Sequence, residues 1–146
     1  MYDRPTAKEL IEAARQHLEQ AIVPAVKADR KLYFQTLVAI NVLRIVEREM
    51  QYQGGHIEAE WDRLNGLLGE TIIEPVKIAE KHAILEERNS ILCDDIRAGR
   101  ADIHNRTLFT HLKQTVVEQL QVANPRYLQK IAAEDADPSR DAWHNR

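Results

Sequence analysis

The chain has 146 residues, 44% hydrophobic, 29% charged and 5% aromatic, with five glycines, which suits one core and favours helix over an all-β fold. A net charge of −3 supplies no broad positive field for sequence-independent nucleic-acid binding, so no DNA or RNA partner is expected. The lone Cys93 cannot form an internal disulfide, MYDRPTAKEL has no apolar signal region, and the longest apolar run, Leu37 to Val46, falls short of the roughly 20 residues that cross a bilayer. A cytoplasmic protein with no membrane partner is expected.

Thr6, with Glu9 three residues on, makes a capping box, and Leu10, Ala14, Leu18, Ala21 and Ile22 recur on one helical face, so a first helix starts near Thr6. Pro24 lacks an amide hydrogen and disfavours a helical Val23, which predicts a kink or stop there and a linker over residues 25–30. A second helix is predicted from about Lys31 to Gln51. Its middle is apolar on nearly every side, the mark of a helix central to its fold, yet it carries Asn41 and Arg44. Burying an unpartnered amide costs about 1–3 kcal/mol, so a buried Asn41 needs a partner, within the bundle or on another molecule. Gly54 and Gly55 predict a break, and Trp61, Leu64, Leu67 and Leu68 predict a short third helix ending at Gly69.

Ile72 and Ile73 are expected to tuck a connector onto the core. From Val76, the positions Ala79, His82 or Ala83, Leu85, Asn89, Leu92 and Ile96 track a fourth helix that Gly99 stops. After a polar loop over residues 100–106, Leu108, Leu112, Val116 and Leu120 define a fifth helix, ended by Asn124 and Pro125, with a further turn or two over residues 127–133. Beyond Glu134 the sequence is polar and loses periodicity, which predicts a tail that is mobile or packed only by Trp143. The expected fold is all-α: a single-domain bundle of five to six helices over residues 1–133, the 31–51 helix buried at its centre, then a polar tail over 134–146.

Motifs for catalysis are sparse. No Glu stands three residues before any histidine, as a carboxylate-bridged di-metal bundle would need, and Cys93 lies eleven residues from both His82 and His104, too far for a paired zinc site. No metal or cofactor is expected. Asp94 and Asp95 read as solvated or as paired with Arg97 or Arg88. Gly54-Gly55 lacks the lysine and spacing of a nucleotide loop, and Ser90, Ser139 and Cys93 have no glycine elbow or local base, so an enzyme is not expected. What remains is polar residues among apolar ones. Asn41, Arg44 and Arg48 share a face; Asn41 could tie the helix to a neighbouring backbone and Arg44 to Glu47 or a loop carboxylate, or the row could be a docking edge. Arg126 and Tyr127 have the same two readings, a helix-stop turn with Tyr127 lidding the core or a contact turn. His17 and His111 read as core or boundary histidines.

A resemblance extends this reading. Asp3-Arg4-Pro5-Thr6 precedes Glu9-Leu10; then come Arg30 with Phe34, Val38-Ala39 and Asn41, and Arg48-Glu49. Leu67-Leu68-Gly69, Ile96-Arg97-Ala98-Gly99 and Asn124-Pro125-Arg126-Tyr127 follow. In this order, over about Tyr2 to Leu128, the fragments resemble a bacterial domain-of-unknown-function family encoded beside aminoglycoside-phosphotransferase-like kinases and acyl-CoA dehydrogenases. Its members include accessory subunits of 4-hydroxyacyl-CoA kinases in levulinate breakdown. The resemblance implies a non-catalytic subunit that binds and activates such a kinase in short-chain acid catabolism. Asp3, Arg4, Arg97, Asn124, Pro125, Arg126 and Tyr127 are then the contact candidates, with Asn41 and Arg44 as buried support or part of the interface. Asp29, where a glycine is common, and Ala123, where an acidic residue often stands, depart from the pattern. Two other readings stay open. One is a bundle binding a small molecule or acyl group, an enzyme among the options, through a pocket at Asn41 and Arg44. The other is a homo-oligomeric structural protein, such as a homodimer.

Overall fold

The computed structural model describes residues 4–69, 75, 77–102 and 104–135. Every regular element among them is helical, so the fold class is all-α: α1 (Ala7–His17), a π-helical stretch (Leu18–Ile22), α2 (Val23–Ala25), α3 (Arg30–Leu68), α4 (Ile78–Arg97), α5 (Arg106–Ala123) and α6 (Pro125–Asp135). Residues 72, 73 and 136–146, with the connector and tail expected there, lie outside the described residues, as does Asp3.

The capping box forms as expected: Thr6 Oγ1 accepts from the Glu9 amide at 3.3 Å, and Glu9 Oε2 accepts from the Thr6 amide at 2.7 Å. Pro24 does not break the helix where it stands. Its ring would crowd the carbonyl four residues back and it offers that carbonyl no hydrogen, and the chain widens into a π turn just upstream, where the Val23 amide reaches Leu18 O. Helical geometry then persists to Ala25. Asp29 starts α3, its Oδ1 accepting from the amides of Lys31 and Leu32 at 3.0 Å each.

The expected break at Gly54-Gly55 does not occur, and the separate third helix is the C-terminal part of α3, which runs unbroken from Arg30 to Leu68. Glycine costs a helix about 1 kcal/mol, a local preference that core packing of Ile57, Trp61 and Leu64 immediately downstream overrides. The helix ends at Gly69, φ 64°, as the sequence suggests.

Two compact units divide between Gln53 and Gly54, within the region read from sequence as one domain. In the first, the helix expected to be central and buried is buried only along one side. Between residues 31 and 51 only Thr36 and Ile40 are buried, while Phe34 is 66% exposed, Val42 52% and Val38 47%. The physical reason is the number of neighbours: among the described residues of this unit, α1 and its continuation to Ala25 are the only other helical segments, and they cover one side of α3.

The second unit holds the apolar core, built from Ile57, Trp61 and Leu64 of α3, Leu85 and Leu92 of α4, and Leu108 of α5. Helix α4 stops at Gly99, φ 70°, with the Gly99 amide donating to Ile96 O and the Arg100 amide to Asp95 O. Asn105 caps α5, its Oδ1 accepting from the amides of Thr107 and Leu108 at 2.9 and 3.3 Å. Pro125 occupies the first position of α6, where its missing hydrogen is harmless, and α6 is longer than the turn or two expected.

Candidate functional site

The core of the second unit is unusually polar at its centre. Trp61 is 2% exposed, and Lys81 Nζ and the Arg88 guanidinium carbon, seven residues apart on α4, each stand 5.6 Å from its ring centre. Lys81 donates to Glu58, Arg88 Nη1 to Asn65 Oδ1 at 2.8 Å, and Asn89 Nδ2 to Glu60 Oε1 at 2.7 Å. These pairs fix the register of α4 on α3.

Helix α5 meets α3 through a second polar set. Arg63 Nη1 and Nη2 donate to the two carboxylate oxygens of Glu118 at 2.8 and 2.6 Å, and Gln114 Nε2 adds a third bond to Glu118 at 3.2 Å. His56 Nε2 lies 3.0 Å from Gln121 Oε1. Beside this set an open cavity of about 530 Å³ is lined by Asp62, Arg63, Gly66 and Leu67 of α3 and by Arg106, Thr107, Thr110 and His111 of α5. His111 is 3% exposed, and its Nδ1 is buried with no hydrogen-bond partner among the described residues, as is Arg63 Nε. Burial holds the imidazole below its ordinary value; the carboxylates of Glu60 and Glu118 oppose this, and Arg63 adds to it. The group is therefore neutral near pH 7, with one nitrogen able to donate and the other to accept.

In the first unit the charges pair with one another. Arg15 Nε donates to Glu47 Oε1 at 2.9 Å, Arg15 Nη1 to Glu19 Oε2 at 2.9 Å, and Arg44 Nη2 to Glu19 Oε1 at 2.7 Å. The bond to Glu47 raises the Arg15 guanidinium further. Burial alone would raise Glu19, but the hydrogen bonds from Arg44 and Arg15 outweigh it and hold the carboxyl below its usual range. On α3, Phe34, Val38, Asn41, Ile45, Arg48 and Tyr52 follow one another at alternating spacings of four and three, one continuous face flanked by the exposed Leu37 and Val42. Asn41 is exposed in the middle of that face.

The residues singled out from sequence fall in different places. Asn41 and Arg44 are not buried polar residues, and they do not share a pocket: a depression of about 280 Å³ involves Arg44 with Arg15, Glu47 and Arg48, but Asn41 does not line it. Arg44 pairs with Glu19, while Glu47 takes Arg15. Arg4 lies exposed 3.8 Å from Glu9, and Arg97 lies exposed 3.1 Å from Asp94. Asn124 caps α6, its Oδ1 accepting from the Tyr127 amide at 3.3 Å, and Pro125 begins that helix. Arg126 and Tyr127 are exposed, Tyr127 by 48%, so Tyr127 does not lid the core. Sequence reasoning missed the cavity, whose residues come from positions some 45 apart; His111, read as a core or boundary histidine near the apolar face of α5, was the one signal pointing to it.

Among the described residues no group of three or more His, Cys, Asp or Glu side chains could hold a metal ion, and no helix is long and apolar enough to cross a membrane. No curated protein and no solved structure matches the chain. A family model described as a domain of unknown function, DUF6285, matches residues 24–127, which spans the end of the first helical segment, all of α3, α4 and α5, and the Asn124 to Tyr127 turn. The chain belongs to the DUF6285 family.

Proposed function

We propose that this protein is a non-catalytic accessory subunit, binding and activating a phosphotransferase-like kinase that acts on a hydroxyacyl-CoA in short-chain acid catabolism. The observation that carries a binding role is the apolar face of α3, where Phe34, Val38 and Val42 stand about half or more exposed around Asn41. Contiguous exposed apolar residues are costly to leave in water and mark interaction surfaces. Asn41 within such a seam fits a register-setting contact, since an amide inside an apolar helix interface satisfies its hydrogen bonds in one alignment only. The kinase itself comes from the resemblance of the fragments around Arg30, Phe34, Val38 and Asn41, three of which lie on this face. Activation then follows from preferential binding to the kinase's active conformation, because only a difference in affinity shifts a conformational equilibrium.

The test is co-expression with a phosphotransferase-like kinase of the kind the resemblance implies, size-exclusion chromatography, and an ATP-dependent 4-hydroxyacyl-CoA phosphorylation assay with and without this chain. Co-elution together with phosphorylation only in the mixture is the expected result. Separate elution with a kinase fully active alone would overturn the reading. Self-association of this chain through α3, with no kinase bound, would leave the homo-oligomeric structural role in its place.

A further inference from the structure

We propose that Gly54-Gly55 is a hinge, at which α3 opens reversibly while the two compact units on either side stay folded. The proposal does not rest on the kinase reading. It starts from what these glycines are not needed for. Neither has a positive φ, as Gly69 and Gly99 do, and neither makes room for a close neighbour: a Cβ at Gly55 would meet nothing within 4 Å, and one at Gly54 only Ile78 Cδ1 at 3.7 Å, an ordinary contact. Two adjacent residues that each weaken a helix relative to alanine therefore stand inside a 39-residue helix with no packing role. The property left to them is backbone freedom, and adjacent small residues of this kind are among the few recognised sites of sharp helix bending.

Their position gives that freedom a use. The boundary between the units falls between Gln53 and Gly54, at the pair itself. On its N-terminal side α3 is tied down by the pairs of Arg15 with Glu47 and Arg44 with Glu19. On its C-terminal side it is held by the pairs of Lys81 with Glu58 and Arg63 with Glu118, and by the core residues Ile57, Trp61 and Leu64. Between Ile40 and Ile57 no residue of α3 is buried. Backbone hydrogen bonds in such a solvated stretch open at less cost than those packed in a core. Opening at the glycines breaks a few helical bonds and uncovers little apolar surface, so each unit keeps its own contacts. A hinge works in this way, a few residues absorbing the change in φ and ψ between bodies that remain intact.

Native-state amide exchange of the full chain, followed by NMR in increasing sub-denaturing urea and corrected for intrinsic rates, tests this. The amides of residues 55–58 are expected to exchange about tenfold or more faster than those of residues 38–42 and 61–65, and with little urea dependence, because the urea slope reports the surface uncovered on opening. Gly54→Ala with Gly55→Ala should slow the 55–58 amides by about tenfold or more, as the helix preference of two alanines implies. Gly66→Ala is the control, a glycine of the same helix where a Cβ also meets nothing within 4 Å, and it should leave those amides unchanged. Four results would each overturn the proposal: exchange at 55–58 as slow as on both sides, a urea slope there as steep as for 61–65, exchange at 38–42 as fast as at 55–58, or equal slowing by Gly66→Ala.

Discussion

Arg63 and Glu118, 55 residues apart, form a two-pronged ion pair at 2.8 and 2.6 Å that joins α3 to α5, with the Glu118 side chain only 9% exposed and that of Arg63 23%. Removing one partner strands the other. Glu118→Ala is therefore expected to destabilise the protein by about 3 kcal/mol, the lower end for a broken buried pair because Arg63 keeps some solvent. Replacing both, as Arg63→Met with Glu118→Leu, is expected to recover stability to within about 1 kcal/mol of the parent, since no charge is then buried alone. Urea denaturation of the parent, the single and the double variants measures both. A double variant as unstable as Glu118→Ala would mean that the pair itself, and not the stranded charge, stabilises the contact.

The imidazole of His111 sets a pH dependence. Its value in the fold lies below the ordinary 6.5, lowered first by burial and further by Arg63 of α3, against the pull of Glu60 and Glu118. The unfolded chain therefore binds this proton more readily, so His111's contribution is complete above about pH 6.5 and is lost as pH falls from there through the lower folded value. Unfolding free energy should fall between about pH 7 and pH 5 in the parent, and His111→Asn should flatten that fall. An equal slope in parent and variant would remove His111 as its source.

Local chemistry made most of this fold legible. The capping box at Thr6, the positive-φ stops at Gly69 and Gly99 and the Asn124-Pro125 junction are encoded within a few residues, and each stands where the sequence puts it. What failed depended on neighbours. The apolar residues of the 31–51 segment predict burial only if other helices surround them, and periodicity does not count those helices; the structure leaves Phe34, Val38 and Asn41 exposed. The glycine pair predicts a break only if nothing downstream outweighs it, and Trp61 and Leu64 do. The polar partners of the second unit, Arg63 with Glu118 and Arg88 with Asn65, join distant positions whose pairing no local pattern specifies.

The glycines of α3 and the glycine after α4 should respond in opposite directions. Gly54 and Gly55 lie inside a continuous helix, where a methyl at Gly55 meets nothing within 4 Å and one at Gly54 makes an ordinary 3.7 Å contact with Ile78 Cδ1. Gly54→Ala and Gly55→Ala should each raise stability by about 0.5–1 kcal/mol, by lowering the freedom of the unfolded chain and favouring helix. Gly99→Ala should lower it by about 1 kcal/mol, because φ 70° suits glycine and the turn hydrogen bonds depend on it. Thermal melts of the three variants decide this. Destabilisation by Gly55→Ala would mean that the helix bends or breaks there in solution.

The exposed face of α3 separates binding from folding. Phe34→Ser with Val42→Ser changes side chains that are 66% and 52% exposed, and such surface positions are expected to alter stability by no more than about 0.5 kcal/mol. If the proposed kinase docks on this face, the same pair should abolish co-elution with it, since a few apolar anchors carry most of the energy of an interface. The turn at α6 provides the contrast. Arg126→Ala with Tyr127→Ala also removes exposed groups and tests that turn as a contact, whereas Asn124→Ala removes a helix cap and should cost about 1 kcal/mol whether or not a partner binds. Chromatography of each variant with the kinase, beside its own melting curve, distinguishes the cases. Co-elution that survives Phe34→Ser with Val42→Ser but fails with Arg126→Ala and Tyr127→Ala would move the docking surface from α3 to the start of α6.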